Sequence, residues 1–377
     1  MKRRTPAFEA TSARFVQSDG IELLAFHGCG YLGLGHDERV QAAATDAIGR
    51  YGTSGLASRT TSGTLDLHER LETRLAEFLD VESALVLSDG YLADLAIVAT
   101  LAERARKAPP STRDPIGLMD ADDHPSLVEA ARLAGLRTMD YGSGDLTRAV
   151  ALLDAQKDAR PIVLTDGVFA MHGRLAAVGD LLRHLPEDGT MVVDDCHGVG
   201  VLGEKGRGTL EAFGIDDPRV VVTGSLAKAF GSSGGFIAGT TEHIEAVRSG
   251  AASFITTTAL SPPLAAAALR SIELIESEPE RLERLRANTG QLHRSARRLG
   301  IRSSGTFMPV LLMPFDHFTE ARRVSAALHI EGIFAPAIRY PGAPDGGVIR
   351  VAVTSEHTAA DIRRLEECLE RHLRPQD

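Results

Sequence analysis

The chain has 377 residues, 43% hydrophobic and 24% charged, which is enough apolar material for a large buried core and suggests about two domains. Its 41 lysines and arginines against 51 aspartates and glutamates give a formal charge of -10, which argues against nucleic acid as a partner because no basic cluster offsets it. The start MKRR leads into no apolar signal core, no run of about 18 apolar residues occurs, and three scattered cysteines lack CxxC spacing, so the expectations are a cytoplasmic location, no membrane partner, no disulfide framework and no metal.

In chain order, strand-like runs alternate with helix-like ones, the pattern of an α/β fold with a mostly parallel sheet and helices on both faces. Strands are expected at residues 83–88, 115–120, 136–141, 161–166, 191–195, 219–225 and 235–239. The segments GYLADLAIVATLAERARK, HPSLVEAARLAG and LTRAVALLDAQ carry apolar residues at helical spacing and follow the first three strands. Residues 262–298 read as one long helical stretch leaving the sheet. A separate αβ unit then follows, with strands at 308–315 and 347–354 and helices in EARRVSAALHIEG and TAADIRRLEECLERHL. The expected organisation is an N-terminal segment, 1–50, packing with the small domain, a large domain over 51–262, and a linking helix plus small C-terminal domain over 263–377.

In open sheets of this kind ligands gather beyond the carboxyl ends of the strands. Lys228 is the only ionisable side chain between Val220 and Thr241 and one of five lysines in the chain. Desolvation among Leu226, Ala227, Ala229 and Phe230 would favour a neutral, nucleophilic amine suited to a Schiff base; an ammonium snorkelling to solvent is the plain alternative. Asp194, Asp195, Cys196 and His197 follow the fifth strand, so a buried carboxylate there could hold a proton on a ring nitrogen, or could merely cap the next turn. Asp89, Gly90 and Tyr91 open a helix whose free amides suit a phosphate, though an ordinary strand-to-helix turn has the same form. His124, at another helix start, could stack on a flat ring or face solvent. Ser225 offers a hydroxyl three residues before Lys228.

Taken together and in this order, these positions resemble the α-oxoamine synthases, a branch of the fold-type I pyridoxal 5'-phosphate enzymes. The segments YLGLGHDERV, SRTTSGTLDLHERLETRLAEFL, VLSDGYLADL, TDGVFAMHG, DDCHGVGVLGEKGRG, SLAKAFGSSGG, FITTTALSPP, PAIRYPGAP and IRVAVTSEH carry the likeness from about Tyr31 to the last helix. The resemblance implies a large seven-stranded sheet domain with a small C-terminal α+β domain. It implies that Lys228 forms the Schiff base with pyridoxal 5'-phosphate, Asp194 pairs with the pyridinium nitrogen, His197 bonds the phenolic oxygen and His124 stacks on the ring. Gly90, Tyr91 and Ser225 would hold the phosphate, joined by Thr257 and Thr258 across a homodimer with a shared active site. Arg350 would bind the amino-acid carboxylate beside Cys29, which stands where the family usually has asparagine.

The implied reaction condenses an amino acid with an acyl thioester, on coenzyme A or a carrier protein, with decarboxylation to an α-amino ketone. The alternative is an aminotransferase or other Cα chemistry, such as racemisation, on the same cofactor. Further departures from the family pattern fall at Asp89, where a small hydroxyl residue is common, at Leu56 and Ala57 in a usually smaller turn, and at Ala170, His172 and Arg174.

Overall fold

The structure, a computed structural model, describes residues 7–108, 114–156, 158–171, 173–301, 308–339, 344 and 346–373. It divides into a larger compact unit, Glu38–Phe169 with Leu175–Ser277, and a smaller one, Met1–Asp37 with Ala170–Arg174 and Glu278–Asp377. The chain enters through an antiparallel hairpin of the smaller unit, β1 (Phe15–Ser18) and β2 (Ile21–Ala25). Its turn is Asp19-Gly20, with φ of 51° and 76°, the double left-handed conformation that matches strand twist and that Asp-Gly tolerates. This hairpin is not among the expected elements, although an Asp-Gly pair between two apolar runs is a direct signal for it.

The larger unit opens with helices α1 (Glu38–Tyr51) and α2 (Asp66–Leu79). Its seven-stranded sheet comprises β3 (Ser83–Leu87), β4 (Pro115–Met119), β5 (Arg137–Asp140), β6 (Arg160–Asp166), β7 (Thr190–Asp194), β8 (Val220–Ser225) and β9 (Gly235–Gly239), in the order β3-β9-β8-β7-β6-β4-β5. Only β9 runs antiparallel to its neighbours; every other pairing in this sheet is parallel. The α/β class and all seven expected strands are therefore found.

Burial on both faces explains the near-continuous apolar strands. Leu85, Leu87, Met119, Ile162, Leu164, Val192, Val221 and Ile237 face one core with α3 (Gly90–Lys107) and α4 (Pro125–Leu133). The alternate residues Leu118, Val163, Met191, Val193 and Val220 face the other with α5 (Leu146–Ala155) and α6 (Val178–His184). Each fully buried Leu, Ile or Val contributes roughly 1.5–3 kcal/mol relative to exposure.

After β9 come α7 (Thr241–Gly250), α8 (Pro262–Ser277) and α9 (Glu280–Arg298). The single stretch expected over 262–298 is thus two helices. Pro279 disfavours helical backbone at Glu278 and removes an amide, and the unit boundary falls at the same place, between Ser277 and Glu278. Helix α8 packs along α1 within the larger unit.

In the smaller unit, β10 (Val310–Pro314), β11 (Ile333–Phe334), β12 (Ala337–Ile338) and β13 (Val348–Ala352) are accompanied by α10 (Phe318–Ile330) and α11 (Ala359–Leu373). Strand β13 lies between β10 and β12, antiparallel to both, while β11 pairs parallel to β2. A core of Leu24, Phe26, Leu311, Val324, Ile349, Ile362 and Leu365 ties these elements together.

Candidate functional site

The site is built in the larger unit from the segments just beyond the carboxyl ends of the parallel strands. Strand β3 leads to Asp89 and the first turn of α3; β4 leads to His124, the N-cap of α4; β6 ends on Asp166 and β7 on Asp194; β8 ends on Ser225, three residues before Lys228. Close packing joins these ends. A Cβ on Gly90 would stand 3.3 Å from the Gly224 carbonyl, 3.4 Å from the Ser225 Cβ and 3.7 Å from the Cys196 sulfur. Gly235 is tighter still, since a Cβ there would lie 2.4 Å from the Asp89 carbonyl oxygen, so only glycine lets β9 pass beside the turn that opens α3.

Charge and burial identify what this end of the sheet is suited to hold. Lys228 is half-buried, and its ammonium acts on the Asp94, Asp166 and Asp195 carboxyls, the Cys196 thiol and the His124 ring. Burial, reinforced by the Asp194 charge, pushes the Asp94 and Asp166 carboxyls well above the usual range. Burial likewise raises Asp195 to about 7, against the bonds that its two oxygens accept from the Thr209 hydroxyl and amide at 2.5 and 2.7 Å. Desolvation holds the His124 imidazole below its ordinary value. A cluster of buried acids beside one lysine is a setting that a protonated aromatic nitrogen next to Asp194 would relieve, and Asp194 Oδ1 is oriented by accepting from the Cys196 amide at 2.9 Å. The donor set therefore fits pyridoxal phosphate: an amine, a carboxylate at the strand end, two imidazoles, and a helix start whose glycine is bare.

Of the expected residues, Lys228, Asp194, His124, Gly90 and Ser225 are brought together; half-buried His197 follows Asp194 in the β7 turn. Ser225 Oγ accepts from the Ala227 amide at 3.1 Å and keeps its own proton to donate. Tyr91 departs from expectation, because its amide is donated to Asp89 Oδ1 at 2.8 Å, the N-cap bond of α3. The carboxylate at position 89 thus occupies a donor expected to be offered to phosphate. Thr257 donates its hydroxyl to the Ser253 carbonyl at 2.6 Å, and exposed Thr258 bridges to Ser58.

In the smaller unit, Arg350 on β13 donates to the Gly28 carbonyl at 2.9 Å and to Cys29 Sγ at 3.3 Å. Burial pushes the adjacent Tyr31 hydroxyl up and, with the Arg350 charge, holds His27 down. His172 lies outside the described residues.

Several buried polar residues are not singled out by the sequence. Asp94, one turn beyond Gly90, stands 2.6 Å from both the Thr223 and the Ser126 hydroxyls, and Ser126 Oγ is 2.7 Å from His124 Nδ1. Asp166, at the end of β6, is reachable by the same strand-end rule that selects Asp194. Among the described residues, cavities of about 890 and 650 Å³ near the amino ends of the strands, around Asp80 and Arg207 and around Arg160 and Arg219, include none of these residues.

Comparison with known proteins gives a consistent result. A family model described as aminotransferase class I and II matches residues 31–369. The chain is 37% identical over 370 residues to 8-amino-7-oxononanoate synthase of Stutzerimonas stutzeri, covering 97% of this chain and 92% of that protein. It is 34% identical over 370 residues to the synthase of the same name from Lysinibacillus sphaericus, covering 96% and 92%. Among solved structures, a serine palmitoyltransferase variant from S. paucimobilis with bound PLP-myriocin aldimine superposes with a TM-score of 0.90 at 25% identity, covering 97% of this chain and 92% of that one.

Proposed function

The chain belongs to the α-oxoamine synthase branch of the class I and II aminotransferase family, and from that premise we propose the residues that carry out its chemistry and their roles. It is a pyridoxal 5'-phosphate-dependent acyltransferase that joins an amino acid to an acyl thioester. The observation that carries the assignment of roles is the convergence of Lys228, Asp194 and His124 at the carboxyl ends of one sheet.

Bound there, the cofactor supplies an electron sink for a bond at the amino acid's α-carbon. Lys228 Nζ would hold the cofactor and, once freed from it, would serve as the base that accepts the amino acid's α-proton. Asp194 would keep a proton on the ring nitrogen, His197 would donate to the phenolic oxygen, and His124 would stack on the ring. Gly90 and Ser225 would hold the phosphate, joined by Thr257 and Thr258 of the partner subunit in a homodimer. Arg350, which suits a carboxylate, would bind that of the amino acid, with Cys29 beside it.

Transfer of the acyl group to the α-carbon with departure of the thiol, loss of that carboxylate as carbon dioxide, and return of a proton to the α-carbon give an α-amino ketone. Among the described residues no helix is long and apolar enough to cross a membrane; a cytoplasmic location accords with that.

The test is amino-acid-dependent release of free thiol from a panel of acyl thioesters by the holoenzyme, with the product identified by mass. Thiol release with loss of carbon dioxide is expected. Conversion of bound cofactor to its pyridoxamine form without thiol release would replace this reading with transamination.

A further inference from the structure

The contacts under His124 form a closed chain of hydrogen bonds with too few protons for its acid to be ionised. His124 is the N-cap of α4, and its Nδ1 accepts from the Ser126 amide at 3.3 Å. A backbone N–H only donates, so Nδ1 presents a lone pair and carries no proton. The Ser126 hydroxyl, 2.7 Å from that same nitrogen, must then spend its single proton on Nδ1. The 2.6 Å separation between Ser126 Oγ and Asp94 Oδ2 still requires a proton between the two oxygens, and only Asp94 is left to supply it. The other carboxyl oxygen, Oδ1, accepts from Thr223 Oγ1 at 2.6 Å, so the acid proton resides on Oδ2. An ionised Asp94 would force the opposite arrangement, with Ser126 donating to the carboxylate, a proton on Nδ1 and the N-cap bond lost.

We propose that Asp94 is a positioning residue: as the neutral acid it fixes His124, through the Ser126 hydroxyl, in the Nε2–H tautomer. The surroundings favour this arrangement. Asp94 is 2% exposed, and its charged or titratable neighbours include Asp194, Asp166, Lys228 and the Cys196 thiol. Burial and the Asp194 charge both oppose ionisation of Asp94. The chain of bonds also joins three elements that the proposed function uses. Thr223 lies on β8 two residues before Ser225, Asp94 on α3 one turn after Gly90, and Ser126 on α4 beside the ring-stacking histidine. The consequence for chemistry rests on the stacking role proposed for His124: a neutral imidazole with one fixed donor can lie against a protonated pyridine, whereas an imidazolium would be repelled by it.

The test reads the tautomer directly, by nitrogen NMR of ¹⁵N-histidine-labelled protein at neutral pH, with and without cofactor. The His124 signals are assigned by their disappearance in His124→Asn. Wild type is expected to show His124 with an unprotonated Nδ1 and a protonated Nε2. Asp94→Asn reproduces the neutral acid, its amide donating to Ser126 and its carbonyl accepting from Thr223, and is expected to keep the same signals. Ser126→Ala removes the 2.7 Å hydroxyl contact without touching Asp94 and leaves Nδ1 only the longer 3.3 Å amide contact, so the second tautomer is expected to become populated; Asp94→Ala, which frees the Ser126 hydroxyl to turn away, should do likewise where it folds. A protonated Nδ1 in wild type, a tautomer that switches in Asp94→Asn, or an unchanged pattern in Ser126→Ala would overturn the proposal. Cofactor absorbance recorded on the same samples separates failure of this proposal from failure of the proposed function, because the tautomer in cofactor-free protein does not depend on whether cofactor binds.

Discussion

Asp89 is the residue at which this site departs most plainly from a simple phosphate cradle. Its carboxylate caps α3 by accepting from the Tyr91 amide at 2.8 Å, where the helix start would otherwise present that donor to an anion. Serine caps a helix about as well as aspartate, so Asp89→Ser retains the cap and removes a negative charge from beside the proposed phosphate. Two charges a few ångströms apart in a wet site interact by ~1 kcal/mol, so the variant is expected to bind pyridoxal phosphate roughly five- to tenfold more tightly. Titration of cofactor-free protein followed by absorbance measures this, and equal or weaker affinity would show that the carboxylate does not oppose the phosphate. Gly235 provides a second test at this scale. The alanine Cβ would meet backbone, not a yielding side chain, 2.4 Å away at Asp89, so Gly235→Ala should cost about 1–3 kcal/mol in urea unfolding, and a neutral result would contradict the packing described.

At the scale of elements, the turn between β13 and α11 ties the smaller unit together through a neutral histidine. His357 accepts the Thr354 amide on Nδ1 and reaches the Ala25 carbonyl through Nε2, each at 3.0 Å, and it stacks on Phe26. Burial lowers its pKa to about 4. Because the folded value lies below the unfolded value of about 6.5, the stability linked to the neutral ring is complete above pH 6.5. It is lost as pH falls toward 4, by about 3 kcal/mol in all. His357→Gln should therefore flatten the fall in stability between pH 6.5 and 4, while lowering stability at neutral pH. A wild-type stability that stays level across that window would contradict the assignment. Elements also show why one expectation failed. The apolar spacing over 262–298 continues across Pro279, so periodicity alone reads one helix, whereas the proline's restriction of Glu278 divides it into α8 and α9.

For the whole molecule, the seven-stranded sheet is legible in the sequence because parallel strands buried on both faces must be apolar throughout, and runs such as Ile162–Leu164 and Val220–Val222 carry that signature. Residues beyond the carboxyl ends are legible for the same topological reason, which singles out Lys228, Asp194 and His124 before any side chain is placed. The β1–β2 hairpin has its signal in Asp19-Gly20, but its short strands lie outside the alternating pattern that marks the large sheet. Asp94 is not readable in this way. Within ADLAIV it looks like a solvent-facing break in an apolar helix, and only packing against Thr223 and Ser126, more than 30 residues away in sequence, gives it a role. The occupied Tyr91 amide is hidden too, since a capping bond depends on a side-chain rotamer that spacing does not specify.

Every role proposed for this site depends on Lys228 as the cofactor's point of attachment. Holoenzyme reduced with borohydride, digested and mapped by mass spectrometry should carry the pyridoxyl group on Lys228 alone among its five lysines, and Lys228→Ala should yield no such peptide. A pyridoxyl group on Lys2, Lys107, Lys157 or Lys205, or equal labelling of the Lys228→Ala protein, would contradict it.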